Sequence, residues 1–237
     1  MPPARPQPEQ QAPPVQRLRI RYAKRGRARF TSHRDFGRAF ERALRRAGVP
    51  MAYSSGFSPH PRISYANASP TGAASEAEYL EIGLAQTCDP AQVQLALDAA
   101  LPPGLDIVEV VPSPPGALAD LLTGSRWFVA LDPGSADPGV AVAAFLDQAS
   151  VSVQRMTKNG LRDFDARSAV VALAVVEGGL EMTLAHQTPL VRPDDVLTAI
   201  TAVRPEFVPV GVPVLTRLSQ GVLDLATGAI VEPGHGG

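Results

Sequence analysis

Between Arg17 and Tyr22 the chain alternates strictly, with Leu18, Ile20 and Tyr22 on one side and Arg17, Arg19 and Arg21 on the other. A period of two is that of a half-buried strand. After Ser32 the period changes. With Phe36 as zero and about 100° per residue, Ala39, Phe40, Ala43, Leu44 and Ala47 fall within about 80° of it. Arg34, Arg38, Arg42 and Arg45 gather near the opposite side. The pattern predicts a helix from about Ser32 to Ala47. Ser32 caps it, Asp35 sits where a capping box wants an acid, and Gly48 follows the last turn.

Met51 to Tyr53 starts a second strand, which Gly56, Pro59 and Pro61 interrupt, and Arg62 to Ala66 resumes an extended pattern. Asn67 to Ser75 is a polar loop. Glu78 to Leu84 alternates as a strand, with Leu80, Ile82 and Leu84 expected inward and Tyr79 and Glu81 outward. Asp89 and Pro90 open a helix to Leu101, and Leu105 to Val111 is a closing strand. The order is β-α-β-β-α-β, a ferredoxin-like split βαβ unit over residues 17–112.

Pro112, Pro114, Pro115 and Gly116 mark a boundary. Beyond it the pattern predicts strands at Ser125–Leu131, Val151–Met156, Leu161–Asp165, Ser168–Glu177 and Leu180–His186, and a last one at Val212–Leu218. Helices are expected at Pro138–Ala149 and Pro193–Val203, and Gly178-Gly179 reads as a tight hairpin. The expected fold is therefore α+β, with a second, related α+β unit over 125–218. Residues 1–16, with six prolines and four glutamines, are expected to be disordered, and 219–237 to form a flexible tail.

Charge divides the chain. Residues 17–62 hold 13 of the 22 Lys and Arg residues against only Asp35 and Glu41, whereas 63–237 hold 8 basic and 20 acidic ones. Such asymmetry points to a nucleic acid or an acidic partner for the basic part. A single cysteine, Cys88, rules out an internal disulfide and a multi-cysteine metal site. There is no apolar run of membrane-spanning length and no apolar leader, so a cytoplasmic protein without a membrane partner is expected. No cofactor fingerprint and no metal signature occur, and no cofactor is expected.

Five sets of residues carry candidate chemistry. On the open side of the first sheet, Arg17, Arg19 and Arg21 would contact phosphates while Tyr79 stacks a base. The alternatives are that Glu81 pairs with Arg19 across the strands, or that the carboxyl-terminal half covers this face. Arg34 and Arg38 on the helix point to the other side, so one short strand would not touch both. The stiff loop with Gly56, Phe57, Pro59 and His60 could present backbone donors and Arg62 to a phosphate. His33, Asp35 and His60 could bind a metal or shuttle a proton if they met, although Asp35 is already a helix cap. Arg155, Lys158, Arg162 and Arg167 surround a basic hairpin tip at Asn159-Gly160.

Ser32-His33-Arg34-Asp35, the run Phe40 to Gly48, the stretch Tyr53 to Ser64 and Ser75 to Leu80 together resemble the radical-SAM-associated protein family of unknown function, over about residues 17–200. Ser58 stands where many relatives have Asn. The three-cysteine cluster motif is missing, so any radical chemistry would belong to a separate partner. The resemblance implies RNA maturation or modification, beside a radical-SAM protein or ribonuclease E/G-linked machinery. The resulting expectation is an RNA-binding accessory protein, with tRNA or rRNA as ligand and no catalytic centre of its own. The alternatives are an RNA-modifying enzyme using His33, Asp35 and His60, or a protein–protein adaptor.

Overall fold

The computed structural model describes residues 10–132, 137–157 and 160–233. Alternation in the first strand, β1 (Gln16–Lys24), is realised as expected: Leu18, Ile20 and Tyr22 enter a core shared with the first helix, α1 (His33–Arg46). That helix contributes Phe36, Phe40, Ala43 and Leu44. At its start Ser32 Oγ accepts from Asp35 N at 3.2 Å and donates to Asp35 Oδ2 at 2.6 Å. At its end Gly48 takes φ +67, the left-handed value that a side chain disfavours.

Met51–Tyr53 does not form the expected strand. It makes only isolated bridges, Met51 to Leu84 and Tyr53 to Pro61, because Pro59 and Pro61 break the ladder. The next strands are β2 (Ile63–Ala66) and β3 (Ala74–Leu84), then α2 (Pro90–Ala100) and β4 (Leu105–Pro112). The rear half runs β5 (Gly124–Ala130), α3 (Pro138–Leu146), β6 (Ser152–Thr157), β7 (Gly160–Asp165), β8 (Val170–Val176) and β9 (Gly179–Ala185). It closes with α4 (Pro193–Val203), β10 (Val214–Leu223) and β11 (Ile230–Val231). The β8–β9 turn is Glu177-Gly178, where Gly178 takes φ +77, and β9 already begins at Gly179.

The architecture is mixed α+β, with one large, mostly antiparallel sheet and, among the described residues, four α-helices. The sheet has nine strands in the order β4-β1-β3-β10-β5-β9-β8, with β2 also on β3 and β11 also on β10. β6 and β7 form a separate hairpin. Each half buries its own apolar cluster, one around Phe36, Phe40 and Leu80, the other around Val129, Phe145 and Ile200. Even so, the sheet runs on from one half to the other through the parallel register Thr216 to Ala74 and Arg217 to Ser75.

Buried charge marks that junction. Arg217, 2% exposed, donates from Nη1 to Glu78 Oε1 at 2.9 Å and to Asn67 O at 2.8 Å, and lies 4.7 Å over the Trp127 ring. Glu78 also accepts from Ser69 N at 2.9 Å, and Lys24 Nζ donates to Ser69 Oγ at 3.2 Å. Burial holds the Lys24 ammonium below its ordinary pKa. Breaking such a pair costs more than forming it contributes, so its clearest role is to specify which edges meet.

The expected tail from Ser219 onward is structured through Pro233. Val222 pairs with Val231 and Leu223 with Ile230, across a turn in which Asp224 accepts from Ala226 N at 2.8 Å and Thr227 Oγ1 at 2.7 Å. At the other end Gln16 belongs to β1, and Val15 N donates to Leu84 O at 2.8 Å. Residues 1–9 and 234–237, and the tip residues Lys158 and Asn159, lie outside the described residues.

Candidate anion-binding surfaces

The open face of β1 and β3 is covered, which corrects the expectation for Arg19, Arg21 and Tyr79. Arg19 is 1% exposed. Its Nε and Nη2 donate to Glu81 Oε1 at 3.1 and 2.8 Å, and its Nη1 to Pro233 O at 2.5 Å. Arg21 donates to Glu76 O at 2.8 Å and pairs with Glu232. Tyr79, 2% exposed, packs with Ala66, Ala77, Leu118 and Leu122. Both alternatives read from the sequence hold together: Glu81 pairs across the strands, and later chain covers the face. The cover consists of the 113–123 connection and the segment after β11. Tyr79 is therefore not placed to stack a base, and burial pushes its phenol pKa up.

Two basic surfaces stay open. The first is the outer side of α1. Arg34, Arg38 and Arg42 are exposed and, among the described residues, have no acidic partner. Glu41 reaches Arg45 only at 4.0 Å, and Asp35 is held by Ser32. Residues four apart rise about 6 Å along a helix, so these three side chains form a slowly winding row along α1.

The second lies on the opposite side of the sheet, at the amino end of β1. Arg17 stands across from Gly83 on β3, and Gly83 N donates to Arg62 O at 2.9 Å. The Arg62 and Gly83 Cβ positions share one side of the sheet, 3.3 Å apart for an idealised Cβ on the glycine. Arg17, Gly83 and Arg62 thus make one row, and the absence of a side chain at Gly83 lets the Pro14 ring pack on the strand between them. Ser54, His60, Ser64 and Glu81 complete a cleft of about 230 Å³, with Pro14 on its rim.

The 53–62 loop is pinned by its own backbone. Ser54 N donates to His60 O at 2.9 Å, His60 N to Ser54 Oγ at 3.0 Å, and Arg62 N to Ala52 O at 2.9 Å. Gly56 takes φ +129, and Phe57 and Pro59 are exposed at the tip. Arg62 Nε donates to Tyr53 O at 3.1 Å.

His33, Asp35 and His60 do not form the expected constellation. His33 meets the Tyr65 ring edge-on at 4.8 Å, Asp35 caps α1, and His60 belongs to the loop. Among the described residues no group of three or more His, Cys, Asp or Glu side chains is arranged to hold a metal.

A family profile described as an uncharacterized protein conserved in bacteria, DUF2344, matches residues 17–193. The chain belongs to DUF2344. No curated protein matches it. Among solved structures, an unknown protein from Galdieria sulphuraria is 15% identical, with 88% of this chain and 99% of that one covered and a TM-score of 0.27. The DUF2344 match takes in Arg17, the α1 row, the 53–62 loop and Gly83. β10 and β11, which supply Arg217 and lead to Glu232, lie beyond it.

Gly83 escaped the sequence reading. Its signal was there: a glycine inside an apolar strand, between Ile82 and Leu84, marks a close approach of backbone or ligand. Ser64 carried no such mark, because only the register that sets it beside Glu81 brings it to the cleft. In the tip hairpin, Arg155 is taken up by Asp195 and by the Phe164 ring at 4.8 Å.

Proposed function

We propose that the protein binds RNA along the outer face of α1, with Arg34, Arg38 and Arg42 contacting successive phosphates. The observation that carries this is the row of three exposed guanidiniums without acidic partners among the described residues. Contacts of this kind position a backbone without reading its sequence. RNA is preferred to DNA on the strength of the resemblance to radical-SAM-associated proteins. In the same reading the protein holds RNA for a separate radical-SAM enzyme.

Titration of a fluorescent single-stranded RNA at several salt concentrations tests the reading. Three phosphate contacts give a slope of log affinity against log salt of about −2. The variant Arg34→Glu/Arg38→Glu/Arg42→Glu should lose that slope and most of the affinity. Unchanged binding in the variant would sink the proposal. Capture of an acidic protein that persists after nuclease treatment, without RNA binding, would favour the adaptor reading.

The strand orders support a finer reading of the fold. The front half is ordered β4-β1-β3-β2, and the rear half β10-β5-β9-β8. Both fit a ferredoxin-like split βαβ unit, used twice along the chain.

A further inference from the structure

We propose that the cleft between Arg17, Gly83 and Arg62 binds the phosphate monoester of a small sugar phosphate. It lies on the side of the sheet away from α1, so it is a separate site from the RNA surface.

Charge is the first argument. Arg17 is exposed and, among the described residues, has no acidic partner. Arg62 uses Nε on Tyr53 O, which fixes the plane of the fork, and among the described residues both Nη groups are unpaired. Glu81 is the acidic residue of the lining, and it is already compensated. One of its oxygens accepts from Arg19 Nε and Nη2 and, at 2.5 Å, from Ser113 Oγ. The cleft therefore carries close to two uncompensated positive charges. A phosphate monoester has about −1.5 to −2 at neutral pH, whereas a carboxylate would balance only half.

Shape is the second. Pro14 and Arg62 wall the cleft closely above Gly83, where an idealised Cβ would stand 3.0 Å from Pro14 and 3.3 Å from Arg62. The cleft of about 230 Å³ is smaller than the clefts of about 300–1,000 Å³ that take drug-sized ligands. It suits a phosphoryl group and one sugar ring.

Preorganisation is the third. Backbone bonds, with Ser54 Oγ and Arg62 Nε, hold the loop together and leave several side-chain donors unused. Among the described residues, the His60 ring and the Ser64 hydroxyl have no hydrogen-bond partner, and Ser54 Oγ, already an acceptor, still has a proton to donate. A pinned loop that lines a two-arginine cleft with unused donors binds its ligand with little ordering cost.

Calorimetric titration of the full chain with ribose 5-phosphate and with ribose, at fixed ionic strength, tests the site. Ribose 5-phosphate should bind and ribose should not. Arg17→Glu should lower the affinity at least about tenfold, the loss expected for one charge-assisted contact. Among the described residues Arg17 has no side-chain partner to lose, so this variant should fold, and its thermal melt provides the check. Arg62→Lys, which keeps the charge but not the fork, should also weaken binding. The triple glutamate variant of α1 should bind ribose 5-phosphate as the parent does, whatever its RNA affinity. Equal binding of ribose and its phosphate, or an unchanged affinity in a folded Arg17→Glu protein, would overturn the proposal.

Discussion

Arg19 and Glu81 face each other across β1 and β3, with two guanidinium N–H groups on a single carboxylate oxygen at 3.1 and 2.8 Å. Arg19 is thereby removed from the basic surface that its sequence neighbours Arg17 and Arg21 suggest. Replacing one partner leaves the other charged and buried. Arg19→Ala should therefore lower stability by about 3–5 kcal/mol. Arg19→Met combined with Glu81→Leu should recover most of it. The shift in urea midpoint at constant m-value is the measurement.

High pH should unfold the protein through its phenols. Burial pushes the Tyr22 and Tyr79 pKa values up and raises Tyr65 to about 12. A raised native pKa contributes stability that is complete below the unfolded value, near 10, and is lost as pH rises toward the native value. Each phenol should cost about 1.4 kcal/mol per pH unit in that window. Lys24, shifted downward, works the other way for one proton just below its unfolded value. Denaturant titrations at pH 9, 10 and 11 should show a falling midpoint, with Tyr→Phe at position 22 or 79 flattening the fall.

Capping of α1 rests on one hydroxyl. Ser32→Ala removes the acceptor for Asp35 N and should cost about 1 kcal/mol. Ser32→Asp, which restores an acceptor at the positive end of the helix, should recover it. Thermal melts of the two variants decide the matter.

The cover over β1 and β3 depends on a glycine. An idealised Cβ at Gly221 would stand 2.0 Å from Val231 O, a backbone atom with no room to yield. Gly221→Ala should detach β11 and with it the contacts of Glu232 and Pro233 to Arg21 and Arg19. Hydrogen exchange should then speed up over residues 230–232.

Along α1 the arginines should act additively on salt dependence. Each single Arg→Gln change at 34, 38 or 42 should lower the magnitude of the slope by about 0.7 on single-stranded RNA. Arg19→Gln should leave the slope as it is, since that guanidinium already has its partners.

The elements were legible because local signals agreed. Ser32, the Phe36–Leu44 stripe and Gly48 define α1, and the alternation from Arg17 to Tyr22 defines β1. What lies over a strand is not a local property. β3 is buried on both faces from Ala77 to Leu84, yet Tyr79 and Glu81 read as an outer row, since the chain that covers them comes some 40 to 150 residues later. The strand Met51–Tyr53 failed for the opposite reason: local propensity was adequate, but the prolines at 59 and 61 left it no ladder. Arg17 and Arg62 were recognised separately. Their meeting needed the register that sets both beside Gly83.

The junction of β3 with β10 joins Ala74 to Thr216, and Arg217 reaches Glu78 there. A nascent chain has therefore translated nearly the whole rear half before β3 gains this neighbour. Until then the edge near Glu78 waits with a carboxylate and no arginine, which discourages premature pairing with another copy. Closing so long a loop is slow, and assembly of the sheet should be timed by this last meeting rather than by either cluster of apolar side chains.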